Sequence, residues 1–271
     1  MNHSVSLASP AAFPTAESFS RQMAGGGMAA FPGVLDAATL SALREQTDAA
    51  YLGRRAIQER NGVAGGMEGA AHHLAGEGGA LDAFIADLPL WDFVAQHFDG
   101  KFILLNFGAT LHPPGGGAYT LKPHRDVRAW TRGYPLSLNM LVMLDDFTVE
   151  NGATLFLSGS QHIEALPSPE LFAASATHAT GRAGDILLFD SLVVHAAAPN
   201  RSAARRRALT LCFGRPFMKP QMDWPRFLPA EAEAGLTPRA RQLLGYDARV
   251  PANLDEYYQP PARWTFKPDQ R

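Results

Sequence analysis

From Gly100 to Phe213 the chain is a succession of short apolar runs broken by Gly, Pro, Asn and Asp, and this texture limits the possible folds more than any other feature. Runs at 102–107, 118–126, 136–144, 153–157, 185–189, 192–196 and 206–213 have the length of strands. Between them, Pro113-Pro114-Gly115, Asn151-Gly152, Gly159 and Gly184-Asp185 supply turn chemistry. Many short strands with no long helix among them predict a compact β-barrel or sandwich.

The flanks read differently. Residues 1 to about 35 are rich in Ala, Gly and Ser and are expected to be irregular, with Gly25-Gly26-Gly27 as a break. Asp36 can cap a helix carrying Leu40, Leu43, Ala50 and Tyr51 on one face, with Thr47 a mildly polar interruption. A Gly-rich interval, 62–79, holds His72 and His73. A second helical region follows with Leu81, Phe84, Ile85 and Leu88, is interrupted at Pro89, and resumes from Trp91 to Phe98. The tail beyond Pro216, rich in Pro and Trp, has one helical piece near 237–244 and is expected to pack over the barrel or form a subunit contact. The expected organisation is therefore one domain, 1–271: a helical region to about 100, a β core over 101–215 and an extension over 216–271.

Composition narrows the partners. With 271 residues, 46% hydrophobic and 18% charged, the chain can bury a sizeable core. A formal charge of −2 and no basic run longer than Arg205-Arg206-Arg207 argue against nucleic acid. One cysteine, Cys212, excludes an internal disulfide and is consistent with a reducing compartment. No apolar run approaches the length of a membrane span, and the N-terminus lacks the basic and apolar regions of a secretory signal. A cytoplasmic protein, monomeric or homodimeric, acting on a small molecule is expected.

The chemistry centres on Lys122-Pro123-His124-Arg125-Asp126. On a strand, residues i and i+2 project from one face, so His124 and Asp126 can grip one ion together. His195, closing the apolar run LVVH, adds a second imidazole. Two imidazoles and one carboxylate leave coordination positions open, as suits a non-haem Fe(II) oxygenase, whereas a structural zinc site is usually closed by four ligands that include cysteines. Eleven residues on, alternation places Arg206, Ala208, Thr210 and Cys212 on one face, and Arg207, Leu209, Leu211 and Phe213 on the other. The first face leaves room for a ligand, and an inward guanidinium needs an anion such as a dicarboxylic acid.

His124-x-Asp126, LDDFTVENGATLFLSGSQH (144–162), GDILLFD (184–190) and His195-Ala-Ala-Ala-Pro-Asn200 followed by Arg206 together resemble the phytanoyl-CoA dioxygenase family of Fe(II)/2-oxoglutarate oxygenases. The resemblance runs from about Gly27 to Phe213. It implies a mainly β fold with flanking helices, a cupin-like double-stranded β-helix or jelly roll. It implies that His124, Asp126 and His195 hold Fe(II), that Arg206 binds the far carboxylate of the co-substrate 2-oxoglutarate, and that O2 is consumed. Trp130 looks like the tryptophan found near the iron in the ectoine-hydroxylase branch. The family's Pro-Gly-Ser-His turn is altered to Ser158-Gly159-Ser160-Gln161-His162, a change read as structural. Halogenating members of the wider superfamily have Gly or Ala where Asp126 stands, so hydroxylation or a related oxidation of a small polar or carboxylated metabolite is expected.

Other polar side chains have two readings each. Lys122 shares parity with the His-x-Asp pair and could meet a substrate carboxylate or phosphonate, or snorkel to solvent. Asn106 could touch 2-oxoglutarate or substrate, or satisfy a neighbouring strand. Thr210 could bond the co-substrate carboxylate or simply pack. Arg128 and Asn139 are weaker substrate contacts, explained as well by a solvated loop and a satisfied core amide. His72-His73 read as an exposed pair or as part of a mobile loop over the site, and His97, His112, His162 and His178 read as structural. Two other functions share parts of this pattern: a cupin-like metalloenzyme that does not use 2-oxoglutarate, and a non-catalytic binding barrel.

Overall fold

A computed structural model describes residues 13–115, 121–127 and 129–270, together with the backbone of residues 5 and 6. Within these residues ten strands form two sheets; most helices pack on the larger sheet, while Phe172, in the helix Pro169–Ser175, and Ala176, just after it, pack against the smaller one. No helix among them is long and apolar enough to cross a membrane.

The N-terminal part is more regular than its composition suggests. After β1 (Val5–Ser6), helix α1 (Ala16–Gly25) starts where the Thr15 side chain accepts the Ser18 N–H, and it buries Phe19 and Met23 one turn apart. Gly27, at φ +77°, turns the chain into β2 (Met28–Phe31). Expected irregularity up to residue 35 is thus corrected: a cap and two buried side chains suffice for a short helix even in an Ala- and Ser-rich stretch. Helix α2 (Ala37–Arg60) is capped by Asp36, which accepts from the Thr39 N–H, and buries Leu40, Leu43, Ala50 and Tyr51 as expected, with Thr47 also fully enclosed. Strand β3 (Ala70–His72) lies inside the Gly-rich interval. Helices α3 (Gly79–Ala86) and α4 (Trp91–Phe98) flank Pro89.

The barrel follows: β4 (Ile103–His112), β5 (Ser137–Met143), β6 (Leu155–Leu157), α5 (Pro169–Ser175), β7 (Thr177–Thr180), β8 (Ile186–Asp190), β9 (Val194–Ala196) and β10 (Arg206–Gly214). The larger sheet has the order β2-β8-β5-β10-β4-β3 with every pair antiparallel, and the smaller has the order β1-β7-β6-β9. This is the double-stranded β-helix. One expected strand is absent: of 118–126, residues 121–126 form a loop with a single bridge at His124, and 118–120 lie outside the described residues. Pro123 removes a donor there, and no neighbouring strand continues the ladder.

Alternation sorts the side chains of the large sheet. Leu138, Met140, Val142, Leu209, Leu211 and Phe213 join the core beneath the helices, while Leu141, Met143, Ala208, Leu187 and Phe189 face the smaller sheet. A bulge in β4 opposite Cys212 and Phe213 inserts one extra residue, Leu105, and reverses the parity of that strand. Leu104 therefore points to the helices below the bulge, and Phe107, Ala109 and Leu111 do so above it. Asn106, Gly108, Thr110 and His112 are left facing the interior of the barrel.

The tail packs over the barrel. Trp224, opening α6 (Trp224–Phe227), is 1% exposed and donates its indole N–H to the Leu104 carbonyl at 2.8 Å. Helix α7 (Pro238–Leu243) begins at the Thr237 cap, and Gln242 donates to the Phe102 carbonyl. A final turn, α8 (Leu254–Tyr257), lies on the surface.

Candidate metal centre

His124 and His195 meet in a two-way backbone bridge, each N–H donating to the other's carbonyl at 3.0 Å. Asp126 is tied to the same strap, its N–H reaching the Ser191 carbonyl at 3.1 Å. The loop and the start of β9 therefore hold three side chains over one point. His124 Nε2 is 3.6 Å from Asp126 Oδ1, His195 Nε2 is 3.6 Å from Asp126 Oδ2, and the three candidate ligand atoms lie within 4.8 Å of one another.

Both imidazoles are oriented from behind. His124 Nδ1 bonds the Lys122 carbonyl at 2.8 Å and His195 Nδ1 bonds the Val193 carbonyl at 3.0 Å. A carbonyl can only accept, so each Nδ1 carries the proton and each Nε2 presents a lone pair toward Asp126. Burial pushes the His195 pKa down, against the opposing pull of Asp126, which favours the neutral, ligating form. Phe156 stacks near the His195 ring and Phe189 meets it edge-on, centroids 5.6 and 5.0 Å away. The Asn139 side-chain amide donates to Asp126 Oδ2 at 2.8 Å and to Ser191 Oγ at 3.0 Å, fixing the carboxylate.

A donor set of two neutral nitrogens and one carboxylate, open on its remaining sides, fits Fe(II) better than a closed structural zinc. Cys212 does not compete as a ligand. It is not part of the ligand cluster; its thiol is bonded to Ser137 Oγ, and burial pushes its pKa up to about 12.

The triad opens on a cavity of about 620 Å³ whose wall also includes Asn106, Thr210 and Arg206. Strand register arranges this wall in rows. Asn106, Cys212 and Asn139 stand side by side across β4, β10 and β5; Gly108, Thr210 and Leu141 form the next row but one along the strands, and His112 and Arg206 close the far end. Arg206 is 3% exposed, stacks over the Phe147 ring at 3.9 Å and leaves its Nε and Nη1 without a partner. Burial lowers its pKa to about 10, so it is still a cation at neutral pH. A buried cation with free donors in a cavity is able to pair with an anion.

Not every expected residue reaches the cavity. The Lys122 side chain is exposed and, like Trp130, is not part of the wall; the Trp130 ring lies 5.3 Å from the Arg125 guanidinium instead. Arg128 lies outside the described residues. Asn139 faces Asp126, and Asn106 presents a buried, unpaired Oδ1. Two residues outside the expected site set border the cavity, His112, which the sequence reads as structural, and Arg125. His112 sits beside Arg206 with Nε2 donating to the Ala198 carbonyl at 2.7 Å and Nδ1 buried without a partner; reading β4 as ending at 107 hid it. Arg125, flanked by two candidate ligands, could have been singled out by that position alone.

A double-stranded β-helix with two histidines and a carboxylate over a buried arginine defines the class: a cupin-like barrel with an open metal site. The chain belongs to the phytanoyl-CoA dioxygenase (PhyH) family, whose model matches residues 25–208. It is 34% identical over 186 residues to an uncharacterized protein of Mycobacterium tuberculosis, covering 69% of this chain and 67% of that one. Dioxygenase cdmA of Talaromyces verruculosus is 33% identical over 158 residues, which is 54% of this chain and 51% of the relative, so the chain spans about half the length of that enzyme. Among solved structures, AviO1 from Streptomyces viridochromogenes Tue57 shares the fold with a TM-score of 0.58 at 18% identity, over 78% of this chain and 99% of that one. The family and the dioxygenase-named relative support an oxygenase of the iron dioxygenase type.

Proposed function

We propose that the protein is an Fe(II)- and 2-oxoglutarate-dependent dioxygenase that hydroxylates a small polar or carboxylated metabolite, releasing succinate and carbon dioxide. The observation that carries this reading is Arg206, a buried guanidinium with unpaired Nε and Nη1 in the same cavity as the triad. A cupin-like enzyme without 2-oxoglutarate has no use for such a group, whereas a five-carbon diacid supplies the carboxylate that a planar fork of donors accepts.

In this reading His124, Asp126 and His195 hold the iron, which when bound supplies the redox chemistry that couples dioxygen to a substrate C–H bond. The protein's residues do the positioning. The Lys122 and Val193 carbonyls keep both Nε2 atoms aimed inward, and Asn139 holds Asp126 in place. Arg206 clamps the distal carboxylate, and Thr210, on the same face of β10, offers a hydroxyl along the way. Phe156 and Phe189 exclude water from the back of His195. Asn106, in the row farthest from Arg206, is left to contact the substrate.

The test is succinate formation from 2-oxoglutarate in the presence of Fe(II) and ascorbate, with substrate stimulation screened across amino acids, phosphonates and secondary metabolites. Chelation of the metal is expected to abolish it. Arg206→Ala is expected to weaken 2-oxoglutarate binding roughly 30-fold or more by calorimetry, since truncating one partner of a buried charge pair costs about 2–5 kcal/mol. Unchanged 2-oxoglutarate affinity in that variant would show that Arg206 has another role. Fe(II) binding without succinate release would favour the cupin-like alternative.

A further inference from the structure

We propose that Arg125, the residue between His124 and Asp126, is a positioning residue that sets the geometry of the metal centre by locking the His-x-Asp loop to the strand that carries His195. The proposal rests on the reading of the triad as a metal site. Its starting point is the backbone: residues 121–127 are not part of a ladder, so two of the three ligands sit on a loop joined to the barrel by the His124–His195 bridge and the Asp126 N–H bond. A loop held so sparsely needs another anchor to keep two ligands fixed relative to a third.

Arg125 supplies that anchor. Its Nε donates to the Leu192 carbonyl at 2.8 Å, its Nη1 to the Glu164 carbonyl at 2.7 Å, and its Nη2 to the carbonyls of Ser160, at 2.9 Å, and Ile163. Four of the five N–H groups of the guanidinium are thus spent on backbone oxygens. Trp130, five residues on, covers the cation with its ring. Although Arg125 borders the cavity, it has too few free donors to serve as a bidentate clamp for a substrate anion.

The acceptors connect both halves of the site. Leu192 lies two residues before β9. Ser160 accepts Arg125 through its carbonyl and the Val194 N–H through its hydroxyl, the latter at 2.8 Å. Val194 precedes His195. A closed circuit therefore runs from Arg125 through Ser160 to Val194 and His195, and back across the His124 bridge. The altered turn at 158–162 is one corner of this circuit.

The test uses Co(II) as the probe metal on the full chain without 2-oxoglutarate. Affinity and the visible ligand-field spectrum are measured for wild type, Arg125→Lys, Arg125→Ala and the control Arg226→Ala, an exposed arginine outside the cavity wall, with apo-protein melting followed in parallel. Wild type and the control are expected to match. Arg125→Lys keeps the charge but can reach fewer of the carbonyls; it is expected to bind roughly 10- to 100-fold more weakly with a shifted spectrum, the size found when groups supporting metal ligands are removed. Methylguanidinium is expected to restore part of the affinity of Arg125→Ala. If Arg125→Lys binds Co(II) with wild-type affinity and spectrum, Arg125 does not position the site. If the wild type itself binds no Co(II), the metal-site reading fails and the proposal with it.

Discussion

Arg206 and Asp126 show how one side chain's surroundings choose its role. Arg207, next in sequence to Arg206, points the other way and is fully engaged by Asp145 and Asp48, which raises its pKa. Arg206 points inward over an aromatic face, feels Asp145 without forming an ion pair among the described residues, and keeps Nε and Nη1 unpaired. Asp126 is the reverse case: partly exposed, yet held by the Asn139 amide. Asn139→Ala removes the donor to Asp126 Oδ2, leaving the carboxylate free to turn. Fe(II) or Co(II) affinity is expected to fall roughly 10- to 100-fold, measured by titration of the apo-protein. An unchanged affinity would mean that the bond from the Asp126 N–H to the Ser191 carbonyl, the His124–His195 bridge and the Arg125 anchor hold the carboxylate without Asn139.

At the scale of elements, the bulge in β4 decides what the cavity contains. Were the same sequence to run through β4 with no bulge, Asn106 and His112 would point to the helices, and Leu105, Phe107, Ala109 and Leu111 would face the site. The turn at Asn151-Gly152 matters for a similar reason. Gly152 has φ +80°, and a Cβ there would stand 2.4 Å from the Ala198 carbonyl and 2.9 Å from the His112 ring. The loop that carries Ala198, between β9 and β10, runs on through Asn200, whose side-chain amide donates to the His112 and Ala204 carbonyls just before Arg206. Gly152→Ala is therefore expected to lower stability by about 2 kcal/mol and to weaken 2-oxoglutarate binding as the loop shifts. Urea unfolding and calorimetry on the one variant check both halves.

In the whole molecule, the larger core lies outside the barrel, between the six-stranded sheet and the helices, and it includes Trp224 from the tail. His97 in α4 belongs to this side. Its Nε2 is enclosed without a partner, and burial lowers its pKa to about 4, with Arg215 adding to the effect. The unfolded chain has an ordinary histidine near 6.5, so between pH 6.5 and 4 it binds more protons than the folded one. Stability is expected to fall as pH drops through that window, by up to about 3 kcal/mol. His97→Leu should flatten the dependence of the urea midpoint between pH 7 and 4.5; an identical slope would assign the acid sensitivity to another group.

Much of the barrel was legible because short alternating runs and Gly, Asn and Pro turns are local signals. Strands β5, β8 and β10, the Asp36 cap and the break at Pro89 all follow from neighbours in the chain. Missing were α1, β3, α5 and β7, short elements whose stability comes from what they pack against, and the loop character of 121–127, which periodicity read as a strand. The residues themselves determined the face-sorting of β10 and the membership of His124, Asp126 and His195 in one candidate set. Only the tertiary structure decided that Arg206 keeps two donors unpaired, that a bulge swings His112 inward, and that Arg125 grips four carbonyls from 160 to 192. Those facts depend on contacts between distant segments, and a chain read residue by residue carries no record of which backbone oxygens will stand within reach.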